Sequence, residues 1–104
     1  MSKINLLDCT LRDGGYVNDW HFGREAIFNI GKKIVLAGIE YFEIGFVREC
    51  DYDEDYSLFD GNESVRKMIT PKNPGTHYVG MIDMGRPIPL EKLGKRTEDG
   101  FDVF

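Results

Sequence analysis

The chain has 104 residues, of which 41% are hydrophobic and 30% are charged, a composition typical of one globular domain. No apolar stretch is long enough to span a membrane and the N-terminus lacks the plan of a signal peptide, so we expect a cytoplasmic protein. The formal net charge of -5 and the scattered basic residues argue against a nucleic-acid partner. The two cysteines, Cys9 and Cys50, are expected to be reduced thiols.

The first half of the chain predicts a strand, a helix and a second strand. Residues 3–9 are predicted to form the first strand, in which the apolar run Ile4–Leu7 is buried, and a glycine-rich loop follows at 14–21. Five apolar residues then recur at helical spacing: Ala26, Ile27, Ile30, Ile34 and Ala37. Gly38 stands where this helix ends, and the second strand is predicted over 39–46.

The second half continues this alternation. The stretch 47–61 is polar and acidic, which predicts a loop, and a short helix is predicted over 62–69. A third strand is predicted over 76–84, a helical turn over 90–93, and the beginning of a fourth strand at 101–104. Strands that alternate with helices predict an α/β fold with a parallel sheet.

The most informative segment is 8–14, which reads DCTLRDG at the predicted end of the first strand. Pockets of parallel α/β proteins open at the carboxyl ends of the strands, so two charges placed there favour a functional role. Arg12 can polarise an oxygen and Asp13 can hold a cation, which together suit enolate chemistry. The alternative is a structural ion pair or a loop cap formed by the same two residues.

Segment 8–14 closely resembles the strand-one signature DxTLRDG of the DRE-TIM metallolyases, which include 4-hydroxy-2-oxovalerate aldolase and 3-hydroxy-3-methylglutaryl-CoA lyase. Residues 39–46 look like the second strand of that superfamily, and the similarity covers the whole chain. Its members fold as a TIM (β/α)8 barrel of about 250 residues. The resemblance therefore implies that residues 1–104 are the N-terminal part of an HMGL-like aldolase domain. Such a part is a partial barrel of about three and a half βα units with a parallel sheet.

The same resemblance implies roles for four residues. Asp13 would be a metal ligand, and the metal, Mn2+ or Mg2+, would chelate a small 2-oxo acid substrate. Arg12 would face the 2-oxo oxygen and stabilise the enolate, and Glu43 would support Arg12 or the substrate. Tyr16 stands where the hydroxy-oxovalerate aldolases have a histidine base, so it is the third catalytic candidate, and the base and substrate of this protein are expected to differ. The alternative for Tyr16 is a loop residue that shapes the mouth of the pocket.

The resemblance thus implies that the parent protein is a divalent-metal-dependent aldolase or carbon–carbon lyase. Such enzymes complete the metal site with a His-x-His motif on a later strand, and this sequence has none. We therefore expect the present chain alone to be inactive and to bind metal poorly. An incomplete barrel also leaves sheet edges and apolar faces without partners, so we expect the chain to self-associate through its sheet.

Several residues have other interpretations. Asp8 is expected to satisfy backbone N–H groups, or to pair with Arg12 inside the sheet, rather than to bind a metal, and Glu43 could form only a salt bridge. Gly14–Gly15 could form an anion-binding nest or simply permit a sharp turn. His21 and His77 are expected to be structural. The alternative function is a non-catalytic α/β module that binds an anionic ligand at the Gly14–Gly15 loop.

Overall fold

A computed structural model of the protein describes residues 3–61, 64, 75–95 and 100–104. The elements in chain order are β1 (Leu7–Asp8), α1 (Thr10–Asp13), a 3-10 helix (Gly14–Val17), α2 (Arg24–Leu36), β2 (Tyr41–Val47), β3 (Leu58–Phe59), β4 (His77–Met81) and α3 (Leu90–Leu93). The helix predicted over 62–69 lies outside the described residues, apart from Ser64. Within the described ranges, no helix has the length and apolar character needed to cross a membrane.

β2 is the central strand of a parallel sheet. β4 pairs with one edge of β2 from Tyr41 to Phe46. β1 pairs with the opposite edge at the beginning of β2, and β3 pairs with that same edge at its end. On the far side of β4, Val103 forms a parallel bridge with Val79. The structure is therefore a small α/β domain with a parallel sheet, as the sequence predicts.

Helix α2 is flanked by two glycines with positive φ. Gly23 (φ 87) precedes the helix and Gly38 (φ 78) follows it, and both values lie in a region that suits glycine. Because Gly23 has no side chain to cap the helix, the carboxylate of Asp55 accepts the N–H of Arg24 at 2.9 Å. The apolar stripe that predicted this helix packs against the core through Ile27, Ile30 and Ile34.

The core is rich in aromatic side chains. Its buried members are Leu11, Ile27, Phe42, Ile44, Val47, Phe59, Tyr78, Ile88 and Phe101. Phe59 and Phe101 meet edge to face, with 5.5 Å between ring centres. Phe101 can lie this deep because Gly80 has no side chain: a Cβ there would lie 3.0 Å from the Phe101 ring and 2.6 Å from Val47. The segment at 100–104 therefore covers the sheet beside β4.

The predicted first strand is shorter and more exposed than its sequence indicates. It comprises Leu7–Asp8 instead of 3–9, and the run Ile4–Leu7 is exposed, with Ile4 at 80% and Leu7 at 53%. The prediction of a buried strand is wrong because β1 lies at the edge of the sheet, where β2 is its only described strand partner. An apolar run has the same appearance in a sequence whether or not another element covers it.

Two further predictions are wrong in part. The stretch 47–61 was expected to be a loop, but it contains β3, which pairs with β2. Residues 101–104 were expected to begin a strand, but they contribute a single bridge. The ladder does not continue because the carboxylate of Asp102, rather than a backbone carbonyl, accepts the N–H of Tyr78 at 2.8 Å.

Candidate functional site

The candidate site is built on the turn that follows β1. The carboxylate of Asp8 accepts the N–H of Thr10 at 3.0 Å and its hydroxyl at 3.1 Å. The carbonyl of Cys9 then accepts the N–H of Asp13 at 2.7 Å, which closes the first turn of α1. Asp8 therefore satisfies a backbone N–H, as expected. The carboxyl end of β1 leads directly into the helix that carries Arg12.

The predicted glycine-rich loop begins as a 3-10 helix covered by Trp20. A Cβ on Gly15 would lie 1.9 Å from Cδ1 of Trp20, so only glycine fits beneath the indole. Asp19 and Trp20 have φ values of 55 and 64, a strained region for side-chain-bearing residues, and this turns the indole back over the helix. Its Nε1 donates to the carbonyl of Arg12 at 2.7 Å. Neither Gly14 nor Gly15 has positive φ. The pair therefore lacks the alternation of right-handed and left-handed backbone conformations that forms an anion-binding nest.

Arg12 is held between two carboxylates. Its Nε donates to Oε1 of Glu43, and its Nη1 lies 3.4 Å from Oδ1 of Asp13. The side chains are 20% exposed for Arg12, 6% for Glu43 and 65% for Asp13. The hydrogen bond to Glu43 raises the pKa of Arg12, which keeps the guanidinium charged. The structure thus brings together three of the predicted site residues, with Asp13 facing solvent.

A β-bulge in β2 places Glu43 and Phe46 on one face of the sheet. Glu43 pairs with Val79 and Phe46 pairs with Met81, so one extra residue is inserted in β2. Paired residues of neighbouring strands share a face, and Val79 and Met81 share one because they are two residues apart. The Phe46 ring centre consequently lies 5.9 Å from Cζ of Arg12. The bulge gives Arg12 both its acidic partner and an aromatic contact.

Ser57 joins the bulged strand to the segment that carries Arg12. A Cβ on Gly45 would lie 2.0 Å from the carbonyl oxygen of Ser57, so this approach requires glycine within the bulge. The Ser57 hydroxyl donates to the carbonyl of Leu11 at 2.7 Å, and its N–H donates to the carbonyl of Trp20 at 3.0 Å. The position of Arg12 is therefore fixed from both sides by β2 and its connections.

Arg48 is a second arginine at this end of the sheet. It follows β2 directly, is only 6% exposed, and its Nε has no hydrogen-bond partner. Its Cζ lies 4.5 Å from the ring centre of Phe46 and 5.4 Å from the ring of Trp20. Burial lowers the pKa of Arg48, and the charge of Arg86 adds to this effect. Arg48 was not among the predicted site residues, although a charge directly after a buried strand is the signal that marked Arg12.

Tyr16, the third catalytic candidate, lies at the same end of the sheet. Its side chain is exposed on the 3-10 helix. Its ring meets Trp20 edge to face with 4.8 Å between centres, and the ring of Phe46 is 6.3 Å away. The rings of both histidines contact tyrosines. His77 begins β4 and packs against Tyr41 at the opposite end of the sheet. His21 stacks on Tyr56.

Asp13 is the candidate metal ligand, and its exposed carboxylate is accessible. However, the part of the chain that the structure describes contains no group of three His, Cys, Asp or Glu side chains that could hold a metal ion. Mg2+ takes an octahedral set of oxygen ligands, which one carboxylate does not provide. The described residues therefore do not form a resident Mn2+ or Mg2+ centre by themselves.

The fold and the site together define a parallel α/β domain in which Arg12 and Arg48 lie beyond the ends of β1 and β2, and the buried Glu43 lies within β2. In comparisons with known proteins, no family model, no curated protein and no solved structure matches the chain. The functional assignment therefore depends on the chemistry of the site and on the resemblance of segment 8–14.

Proposed function

We propose that the protein is a divalent-metal-dependent aldolase or carbon–carbon lyase that acts on a small 2-oxo acid, and that this chain supplies the arginine that binds the oxo oxygen. The observation that carries the proposal is the Arg12 guanidinium, held by buried Glu43 at the carboxyl end of a parallel sheet. This is the edge at which parallel α/β enzymes bind their substrates.

The contacts of Arg12 fit the role of stabilising an enolate. Nε donates to Glu43 and Nη1 lies beside Asp13, which leaves Nη2 available for a substrate oxygen. When the C3–C4 bond of a 4-hydroxy-2-oxo acid breaks, its electron pair moves into the enolate and negative charge develops on the C2 oxygen. A guanidinium that is already held in place stabilises this charge with little reorganisation.

The bond cleavage also requires a base that removes the proton of the C4 hydroxyl, whose oxygen becomes the aldehyde oxygen. Tyr16 is our candidate for a group that exchanges this proton, because its exposed ring lies at the same end of the sheet as Arg12. Asp13 is the ligand candidate that this chain offers for Mn2+ or Mg2+, and other residues would supply the further ligands.

The strand order supports a partial TIM barrel. β1, β2 and β4 are neighbours in this order, with the two-residue β3 beside the end of β2 on the β1 side, and Val103 extends the series beyond β4. Consecutive parallel strands of a TIM barrel have this order, whereas a doubly wound sheet reverses it at one point. We therefore propose that residues 1–104 form the N-terminal part of an HMGL-like aldolase domain.

The proposal is tested by pyruvate release from a series of 4-hydroxy-2-oxo acids by the full-length gene product with Mn2+ or Mg2+. We expect metal-dependent turnover, and a loss of about 100-fold or more in kcat for Arg12→Met. Glu54→Gln, which changes an exposed ion pair with Arg24, is the matched control and should retain activity. Absence of turnover with Mg2+, Mn2+ and Co2+ on all substrates would contradict the proposal.

The alternative, a non-catalytic module that binds an anion at Gly14–Gly15, has less support. The two glycines lack the alternating backbone conformation of a nest, and Trp20 covers Gly15. An anion that bound at the loop without any effect of Arg12→Met on its affinity would favour this alternative over the lyase.

A further inference from the structure

We propose that Arg48 binds a second anionic group of the substrate, so that the substrate is a 2-oxo acid with an additional carboxylate. This inference rests on the proposed function and names the substrate class of the same site. It is carried by the geometry of Arg48, a buried cation that shares the Phe46 ring with Arg12 and that no described carboxylate pairs with.

Arg48 lacks the partners that a buried cation normally has. Buried charges are usually paired, because removing an unpaired charge from water costs free energy. The rings of Phe46 and Trp20, at 4.5 and 5.4 Å from Cζ, offset part of this cost through cation–π contacts. They do not provide a hydrogen-bond acceptor, and Nε remains without one. A bound carboxylate would supply the missing negative charge.

The two arginines differ in their charge balance, and this separates their roles. Arg12 already lies beside the carboxylates of Glu43 and Asp13, so it suits a neutral oxo oxygen that gains charge only during the reaction. Arg48 is not balanced in this way and suits a full negative charge. Their Cζ atoms lie 5.9 and 4.5 Å from the centre of the same Phe46 ring, so this one aromatic side chain contacts both guanidinium groups.

A third arginine strengthens the positive field at this end of the sheet. Arg86 lies in the turn after β4, where its N–H donates to the carbonyl of Asp83 at 3.1 Å. Its charge acts on Arg48, and the carboxylate of Asp83 opposes it. The charge of Arg86 thus adds to the attraction that Arg48 exerts on an anion, and Asp83 reduces it.

The test compares two ligands of equal chain length, 2-oxoglutarate and 2-oxopentanoate, of which only the first has a second carboxylate. Calorimetric titration of the full-length gene product should show that 2-oxoglutarate binds on the order of tenfold more tightly than 2-oxopentanoate. Arg48→Met should remove this preference and leave the affinity for 2-oxopentanoate unchanged. Arg24→Met, which changes an exposed arginine on α2, is the matched control and should retain the preference.

A second measurement does not depend on the folding of the Met variant. The Nε–Hε NMR signal of Arg48, identified by its absence in Arg48→Lys, should move when 2-oxoglutarate is added to the wild-type chain and stay in place with 2-oxopentanoate. An unchanged signal with both ligands would overturn the inference. So would absence of binding, equal affinity for the two ligands, or an equal loss of affinity for both in Arg48→Met.

Glutarate, which has both carboxylates but no oxo group, distinguishes failure of the inference from failure of the proposed function. Glutarate could bind as tightly as 2-oxoglutarate, with the binding of both ligands abolished by Arg48→Met. This result would support the anion site at Arg48 and contradict the role of Arg12 in binding an oxo oxygen. If Arg12→Met lowers the affinity for both oxo acids and Arg48→Met has no selective effect, the result would support the proposed function and contradict the inference about Arg48.

Discussion

Glu43 holds the guanidinium of Arg12 from a strand 31 residues further along the chain. Because the carboxylate is almost fully buried and the helix α1 follows β1 directly, this contact fixes the site before any ligand binds. The same contact joins the first βα connection to the central strand. It therefore contributes both to the stability of the domain and to the geometry of Arg12.

Glu43→Gln should lower the free energy of unfolding by about 1–3 kcal/mol, because a neutral amide replaces the charged partner of a part-buried guanidinium. Urea unfolding measures this difference. Glu54→Gln is the matched control, since Glu54 pairs with Arg24 at 3.5 Å on the surface and exposed pairs contribute about 0–1 kcal/mol. Equal effects of the two substitutions would show that the buried pair has no special role.

Gly45→Ala should destabilise the protein by at least about 1–3 kcal/mol, because its Cβ would lie 2.0 Å from the carbonyl oxygen of Ser57. The Ser57 segment would have to move, and with it the backbone contacts to Leu11 and Trp20. Thermal unfolding followed by circular dichroism measures the effect.

Gly14→Ala is the matched control for this glycine. A Cβ at Gly14 would meet its nearest neighbours at 3.9 and 4.0 Å, and its φ of -64 suits alanine. We expect unchanged stability or a gain of about 0.4–1 kcal/mol. A larger loss for Gly14→Ala than for Gly45→Ala would contradict the close contact at Ser57.

Trp20→Phe should lower the free energy of unfolding by about 1 kcal/mol, because it retains an aromatic ring but removes the Nε1–H donor to the carbonyl of Arg12. It should also speed hydrogen exchange of the amide of Asp13, which follows that carbonyl in the chain. Tyr16→Phe removes an exposed hydroxyl nearby and should change neither quantity. If Trp20→Phe leaves exchange unchanged, the indole does not hold this turn.

The regular parts of the fold could be predicted from the sequence because their periodicity is local. The apolar stripe of α2 and the apolar runs of β2 and β4 gave the correct elements and the parallel α/β class. The burial predicted for residues 4–7 was wrong, because burial of an apolar run depends on which other element covers it. The 3-10 helix was missed because it depends on Trp20, whose φ of 64 no propensity predicts.

The candidate site could be predicted only in part. Arg12 and Asp13 were found as two charges at the predicted end of the first strand and Glu43 through the resemblance, and the structure brings Arg12 into contact with both carboxylates. Phe46 and Arg48 were missed because simple strand alternation places Phe46 on the face opposite Glu43. The bulge in β2 reverses this, and it is produced by tertiary pairing with β4.

Stability should fall as the pH rises from about 10 to about 12. Burial raises the pKa of Tyr78 from 10.0 to about 12, with Asp102 adding to the effect, and burial likewise raises the pKa of Tyr52 to about 12. In this window the unfolded chain has released protons that the native chain retains, so unfolding becomes more favourable with pH. Below pH 10 both states keep these protons, and the full contribution is present.

Urea unfolding at pH 8, 10 and 11 measures this dependence, with roughly constant stability expected between the first two values and a decrease at the third. Tyr78→Phe should reduce the decrease, because it removes one of the two buried phenols. If the decrease is the same in Tyr78→Phe and in the wild type, the buried state of Tyr78 does not govern the alkaline limit.

The chain should self-associate through the edge of β1. Leu6 and Leu7 are exposed beside Ile4, and among the described strands β1 pairs only with β2, so one edge and an apolar surface remain uncovered. Such an edge favours pairing with a second copy of the chain. Light scattering should therefore give a mass above the 11.9 kDa of the monomer, increasing with concentration.

Leu7→Lys should lower this mass towards the monomer, because a charge on an edge strand opposes strand pairing between copies. Leu36→Lys is the matched control: it adds the same charge at an exposed leucine, but on helix α2, and should leave association unchanged. If both variants dissociate equally, net charge rather than the β1 edge governs association. If the wild type is monomeric at high concentration, the exposed edge does not recruit a second copy.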